Sequence, residues 1–417
     1  MKIKEGIALC PPQGEIELEK EAVVLKIGGS CQKDGETLKK SVEKIERCLT
    51  KDIIPIIVIS ALHGLTDTLE DIGRNNIENQ AGNEDEILAE GEILSARILH
   101  RILDHKGLES EYLRAEEDDF PIVLNKSEGA QKIDLRKTQI KIDSVVKPLV
   151  NREIIPIIPG FVGKTDDEEI KTLERGGSDT SAVVLGSALQ LPEVVLLKDV
   201  PGILRCDPDI RESEELLEEI DVEKALQLGN NGSEVINPNA LRYKRKNTNI
   251  RIVNYDNNEF FQEGTKIVGE FEVFKEIDIS HPVSLVSLLT NGKKVQIDGY
   301  LESLRENDVK CLSRFESNDS YSFCVQEKKA DDVVDNWQNE IREKDDDILI
   351  GLEDDLSILE IKFNYLPDIS RYIYKIQKEM IENSVEVLYT KFDSTRFTMV
   401  FKKEDLKKVK KVFEVVR

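Results

Sequence analysis

The chain has 417 residues, a formal net charge of −24 and 39 % hydrophobic residues. That length accommodates two or three domains with buried cores, and the acidic balance argues against a nucleic-acid partner, whose phosphates require clustered Lys and Arg. No uncharged run is long enough to span a bilayer, and the polar start Met1–Glu21 lacks the apolar core of a signal peptide, so a cytoplasmic location with no membrane partner is expected.

After the leader, residues 1–21, the apolar run Ala22–Ile27 predicts a buried strand that carries Lys26 immediately before Gly28, Gly29 and Ser30. A lysine in a buried strand costs free energy unless an anion meets it. A diglycine lets backbone N–H groups approach a phosphate closely, so Gly28, Gly29 and Ser30 read as a phosphate cradle and Lys26 as its cation. The glycine spacing fits neither the Walker loop nor the dinucleotide fingerprint. Cys31 follows directly. The six cysteines Cys10, Cys31, Cys48, Cys206, Cys311 and Cys324 have no C-x-x-C spacing and read as reduced thiols.

Helix Thr37–Leu49, strand Ile53–Ser60, helix Glu84–Leu103 and strand Ile154–Ile158 are expected next. Residues 174–182, Glu-Arg-Gly-Gly-Ser-Asp-Thr-Ser-Ala, then bring a cation, a hydroxyl and a carboxylate (Arg175, Ser178, Asp179) to the mouth of the expected helix Thr180–Leu189, a grip suited to a zwitterion. Strands Val194–Leu197 and Ile250–Val253 follow. Nearly continuous apolar strands alternating with helices predict an α/β domain whose mainly parallel sheet is covered on both faces. A phosphate cradle and a zwitterion grip together predict a kinase acting on a small carboxylate. Such a reaction needs two anions aligned and charge stabilised on the moving group, with no general base, because the acceptor is already ionised near neutral pH.

A charged stretch, Gly269–Ser280, precedes a change of pattern. Strand Val283–Leu289, helix Val295–Asn307, strands Val309–Phe315 and Tyr321–Gln326, and helix Asp331–Arg342 form one βαββα unit. Strand Leu356–Phe363, helix Leu366–Asn383, strands Val385–Phe392 and Arg396–Lys402, and helix Asp405–Phe413 form a second.

Besides the two diglycine segments, Ser60–Asp67, Gly91-Glu92 within Leu88–Leu99, Gly160-Phe161-Val162-Gly163, and Asp199–Ile203 followed by Asp207-Pro208 occur in order along the chain. With these motifs residues 22–268 resemble the aspartate kinases of the amino-acid kinase family, and the two C-terminal units resemble paired ACT modules in topology. The resemblance implies an α/β/α sandwich over residues 22–270, a linker at 271–281 and ACT-like modules at 282–350 and 351–417. It implies ATP with Mg²⁺, L-aspartate as acceptor, and 4-phospho-L-aspartate as product on the way to lysine, threonine and methionine. Feedback by lysine or threonine and a homodimer or higher homo-oligomer are implied as well. Lys26 would neutralise the transferring phosphoryl group, and Asp179 would orient Lys26 or hold Mg²⁺ through water, the first role being favoured. Glu92 would take the substrate α-ammonium and Arg175 a substrate carboxylate, with Ser178, Phe161 and Ser60 completing the pocket. Lys198, Asp199 and Leu204 would lie on the nucleotide side.

The nucleotide side departs from the family pattern. Lys198 stands where threonine is usual, Asp209 for arginine, Glu234 for lysine and Asn237 for histidine, while Asn291-Gly292-Lys293-Lys294 replaces a glycine-proline segment of the first module. Two carboxylates in place of cations repel a nucleotide unless Lys198, Arg205 or Arg242 compensates or a metal intervenes. An alternative is therefore an inactive, amino-acid-binding regulatory subunit. Phosphorylation of N-acetylglutamate is disfavoured by Glu92, which needs a free ammonium. His63 is assigned no role.

Overall fold

The computed structural model describes residues 18–76, 83–125, 132–206, 215–232, 235–290, 297–344, 348–364, 369–393 and 395–416. Asp209, Glu234 and residues 291–294 lie outside them. The chain divides into two compact units that part between Phe271 and Glu272.

In the first unit, strand β1 (Ala22–Ile27) is buried along its whole length. Helix α1 (Gly35–Thr50) starts with a capping box, in which the Asp34 carboxylate accepts from the Thr37 N–H at 2.9 Å and the Asp34 N–H donates to the Thr37 hydroxyl at 3.1 Å. Next come β2 (Ile54–Ile59), α2 (Leu65–Asn76), α3 (Asn83–His105), β3 (Ser110–Tyr112), β4 (Val123–Asn125), β5 (Lys132–Ile133), α4 (Leu135–Lys141) and α5 (Lys147–Asn151). They are followed by β6 (Ile155–Pro159), β7 (Val162–Thr165), β8 (Ile170–Thr172), α6 (Gly177–Ala188), β9 (Glu193–Lys198), β10 (Glu219–Asp221), α7 (Val222–Asn230), α8 (Pro238–Leu241), β11 (Asn249–Asn254) and β12 (Thr265–Val268).

An eight-stranded sheet runs in the order β10-β12-β11-β9-β1-β2-β6-β3. The stretch from β11 to β3 is parallel, and β12 turns antiparallel to β11. Its central strands are apolar on both faces because helices cover both, as the continuous apolar runs require. From β1 the chain winds outward through β2 to β6 and returns to lay β9 on the other side of β1. That reversal opens a crevice beyond the carboxyl ends of β1 and β9, the usual ligand position in an open α/β sheet. A side sheet, β5-β4-β7-β8, escapes the sequence reading because its strands are only two to four residues long.

The second unit contains β13 (Phe274–Leu289), α9 (Asp298–Glu306), β14 (Ser313–Glu316), β15 (Ser320–Gln326), α10 (Ala330–Lys344), β16 (Leu349–Phe363), α11 (Ile369–Glu382), β17 (Val387–Asp393), β18 (Arg396–Lys402) and α12 (Leu406–Val416). Its sheet order is β14-β15-β13-β16-β18-β17. The two modules interleave, which corrects the expected boundaries. Most of the expected linker 271–281 is strand: Phe274–Ser280 pairs with the second half of β16 and serves the second module, while Val283–Leu289 lies between β15 and the first half of β16 in the first. Both long strands change register between Ser280 and Val283. Buried Tyr300 and Trp337 pack edge-on, with ring centroids 5.5 Å apart, under the first module's helices. Phe274 meets Phe363, Tyr372 and Phe413 under those of the second. On the opposite face Leu285, Cys324, Leu356, Ile358 and Val400 form a third cluster, and the sheet curls around it until its edge strands meet, Phe315 and Tyr389 being 5.1 Å apart.

Candidate active site

The carboxyl ends of β1 and β9 lie side by side and each delivers a lysine. Lys26 Nζ is 2.8 Å from Asp179 Oδ1, and Lys198 Nζ is 2.7 Å from Asp179 Oδ2. Asp179, in the first turn of α6, is 3 % exposed. Burial pushes its carboxyl up, but the Lys198 and Lys26 charges more than offset that, and its pKa falls below the usual carboxylate range. Burial lowers the Lys198 ammonium from its ordinary value, against the pull of Asp179. Two ammonium groups on one carboxylate leave one positive charge uncompensated at the mouth of the crevice. Asp179 thus meets Lys26, the contact that the orienting role requires, and Lys198 as well.

The cradle lies against this cluster. A Cβ on Gly28 would stand 3.1 Å from the Leu197 carbonyl and 3.4 Å from Lys26 Nζ, and one on Gly29 would stand 3.0 Å from the Ala61 carbonyl. Both glycines thus sit in tight approach to a neighbouring carbonyl, which a side chain would have to push back. A single 3₁₀ turn, Gly29–Gln32, follows in place of an immediate α-helix. Gln32 Nε2 donates to the Ser60 carbonyl at 2.9 Å, tying the cradle to the end of β2. The Cys31 thiol donates to the Leu197 carbonyl at 3.4 Å and burial raises its pKa, so it is no nucleophile.

Opposite the cradle, α3 approaches β2 so closely that a Cβ on Gly91 would lie 2.8 Å from Ala61 Cβ. This contact carries Glu92 into the interior at 4 % exposure. Its Oε1 accepts from the Ala61 N–H at 3.1 Å, while Oε2 is buried with no hydrogen-bond partner. Burial raises its pKa to about 7. An orphaned carboxylate oxygen of this kind is short of a hydrogen-bond donor.

The entry to α6 completes the wall. Phe161 takes a left-handed backbone at φ 64°, and its ring packs where a Gly177 Cβ would stand. Gly160 abuts Ser178, which is 6 % exposed. Gly176, at φ 81°, takes the left-handed conformation before the helix. Asn237, which takes the place of the family's histidine, donates its side-chain N–H to the Arg175 carbonyl at 2.7 Å, a positioning role that sequence reasoning did not assign.

Not every expected residue joins this cluster. The Arg175 side chain is 92 % exposed and, among the described residues, meets the exposed Asp67 at 3.5 Å. Asp199 is exposed, 4.0 Å from Lys33, and Leu204 pairs with Leu216 in an isolated antiparallel bridge. Arg205, an expected compensating cation, pairs with Glu215 on the surface. Among the described residues no three His, Cys, Asp or Glu side chains are grouped to hold a metal ion, and both Asp179 oxygens are taken by lysines. A protein-held Mg²⁺ site does not fit these residues. The described cysteines are free, and no described helix is long and apolar enough to cross a membrane.

A family model described as amino acid kinase family matches residues 21–254, more than half of the chain. The aspartokinase of Rickettsia prowazekii (strain Madrid E) is 30 % identical over 230 residues, which is 53 % of this chain and 50 % of that protein. That of Rickettsia conorii (strain ATCC VR-613 / Malish 7) is 26 % identical over 315 residues, 72 % of this chain and 75 % of the relative. The chain thus spans half the length of the first relative and three quarters of the second. The fold is shared with E. coli aspartokinase III, solved in complex with aspartate and ADP, at a TM-score of 0.53 and 18 % identity, covering 95 % of this chain and 99 % of that one. The parallel sheet, the lysine pair beside the cradle and the matched stretch agree: the chain belongs to the amino acid kinase family, and the relatives it resembles within that family are aspartokinases.

Proposed function

We propose that the chain is an ATP-dependent aspartate kinase that converts L-aspartate to 4-phospho-L-aspartate. The observation that carries this reading is the buried Lys26–Asp179–Lys198 cluster beside the cradle, together with the Glu92 Oε2 that lacks a hydrogen-bond donor. The uncompensated charge of the lysine pair attracts the γ-phosphoryl group, and the N–H groups of Gly28, Gly29 and Ser30 hold its oxygens. Glu92 takes the aspartate α-ammonium and Arg175 swings from solvent onto the α-carboxylate, so that only the β-carboxylate faces the phosphorus. A β-carboxylate oxygen bonds to the γ-phosphorus as the bond to the ADP oxygen breaks, and no proton moves. Mg²⁺ accompanies the nucleotide phosphates, since the described residues offer it no cage.

Lys198 favours catalysis over the alternative of an inactive regulatory subunit. It stands where the family's threonine is expected and adds the charge that Asp209 and Glu234, both outside the described residues, do not supply. The cytoplasmic location, the homo-oligomer and feedback by lysine or threonine through the C-terminal modules belong to the same proposal.

Trapping the acyl phosphate as a hydroxamate from ATP and L-aspartate tests the reading. Turnover is expected from the parent chain, and Lys26→Ala should lower kcat about a hundredfold to a thousandfold, the usual loss for one such stabilising group. An inert parent chain, or full activity in Lys26→Ala, would remove the proposal.

A further inference from the structure

Helix α8 is a single turn whose two asparagines both send an amide out of it. Pro238 takes its first position, where a missing N–H costs nothing, and Asn237 caps it: the Asn237 side-chain oxygen accepts from the Asn239 N–H at 2.8 Å. The turn is anchored in the core. Ala240 and Leu241 are fully buried, and Gly229 of α7 lies so near that a Cβ there would stand 3.3 Å from Pro238.

Capping uses only the oxygen of Asn237. Its side-chain N–H donates to the Arg175 carbonyl at 2.7 Å, and the Asn239 side chain donates to the Glu174 carboxylate, bonds that span 62 and 65 positions of the chain. Gly176 completes the contact, since a Cβ there would fall 2.6 Å from Asn237 Nδ2. Three consecutive residues, 174–176, thus rest on one turn. On the other side their support ends early: Leu173 is buried, with its N–H donating to the Phe161 carbonyl at 2.7 Å, whereas Glu174, Arg175 and the left-handed Gly176 are exposed. A loose backbone there would add its own conformational freedom to that of the long arginine side chain, and both would be lost when the guanidinium bound an anion.

We propose that Asn237 and Asn239 are positioning residues for Arg175. They fix the backbone from which the arginine reaches, so that only its side chain has to order when the guanidinium meets the substrate α-carboxylate. The demands of α8 itself explain neither amide. A serine would cap the turn as well as Asn237 does, and no cap calls on the side chain of Asn239. The inference rests on the kinase reading, which gives Arg175 its ligand, and adds the residues that aim it.

Asn237→Ser keeps a capping oxygen and loses the reach to residue 175, and Asn239→Ala loses the bond to Glu174. The double variant should raise the aspartate KM about tenfold, with kcat and the ATP KM unmoved. A fault in α8 that did not pass through Arg175 would survive removal of the arginine, so the same two substitutions are made in Arg175→Ala. In that background they should have no further effect on the aspartate KM. The proposal is overturned if the double variant keeps the parent's aspartate KM, if the ATP KM rises equally, or if the rise persists undiminished in Arg175→Ala. Calorimetric titration of aspartate into the same four proteins runs the cycle on Kd without turnover, with the same pattern expected. A chain that binds aspartate but forms no acyl phosphate would sink the kinase reading and leave the cycle to decide this one, whereas aspartate that fails to bind the parent would overturn both.

Discussion

In the proposed reading Glu92 couples aspartate binding to pH. With its pKa raised by burial from 4.5 to about 7, the folded protein holds a proton that the unfolded chain has lost. Its contribution to stability is therefore fully present below about 4.5 and is lost as pH rises through about 7, a swing on the order of 3 kcal/mol. Glu92→Gln should flatten stability across that window in urea titrations at successive pH values. Binding runs the other way, because an ammonium needs the ionised carboxylate: the aspartate KM should fall as pH rises toward 7 and then level, and the glutamine variant should lose that slope with its ATP KM unmoved. Lys198 belongs to the other side of the site. Lys198→Thr removes the uncompensated charge of the lysine pair and should raise the ATP KM by an amount on the order of 1–4 kcal/mol of lost attraction. Calorimetry with ATP–Mg²⁺ checks it, and unchanged affinity would show that Lys198 serves only to neutralise Asp179.

Elements position these groups through contacts too close for a side chain. The seating of α3 on the end of β2 at Gly91 turns a helix glutamate, ordinarily a solvated residue, into a buried one. Gly91→Ala brings a methyl group within 2.8 Å of Ala61 Cβ and must push the helix off the strand. A loss of roughly 1–3 kcal/mol is expected, the usual cost of overpacking, with a raised aspartate KM because Glu92 moves with the helix. Chemical denaturation and separate KM titrations measure the two effects; a destabilised variant with an unchanged KM would break the link between the helix seat and the substrate.

The whole molecule carries one tryptophan, Trp337, fully buried in the second unit. Its fluorescence reports that unit alone, while far-ultraviolet dichroism reports both. Each unit has its own core, so unfolding is expected to depart from two-state behaviour. In urea the two probes should give different midpoints, and ADP with aspartate should raise the dichroism midpoint by mass action while the fluorescence midpoint stays put. Coincident transitions that move together would show one cooperative unit.

The sequence by itself determined the central strands β1, β2, β6, β9 and β11 of the first unit, the helices that became α1, α3 and α6, and the residue types of its site. The run Ala22–Leu25 is apolar at every position, as a strand covered on both faces requires, and a lysine following such a run announces an anion. Local signals also gave the order of the expected βαββα elements of the second unit, although β13 begins nine residues and β16 seven residues before the expected strands. What only the tertiary structure decided depends on distance between segments far apart in the chain. Lys198 shares Asp179 with Lys26 because β9 lies beside β1, and a strand's neighbour in a sheet is not written in its own pattern. The orphaned oxygen of Glu92 follows from the seat at Gly91. The interleaving of the modules escaped for the same reason: a strand of sixteen residues serving two modules of one sheet reads locally as a charged linker and a short strand, and only pairing with β15 and β16 tells its halves apart. Arg175 shows the reverse limit, because its residue type is legible while its exposed side chain has no packing to fix where it points.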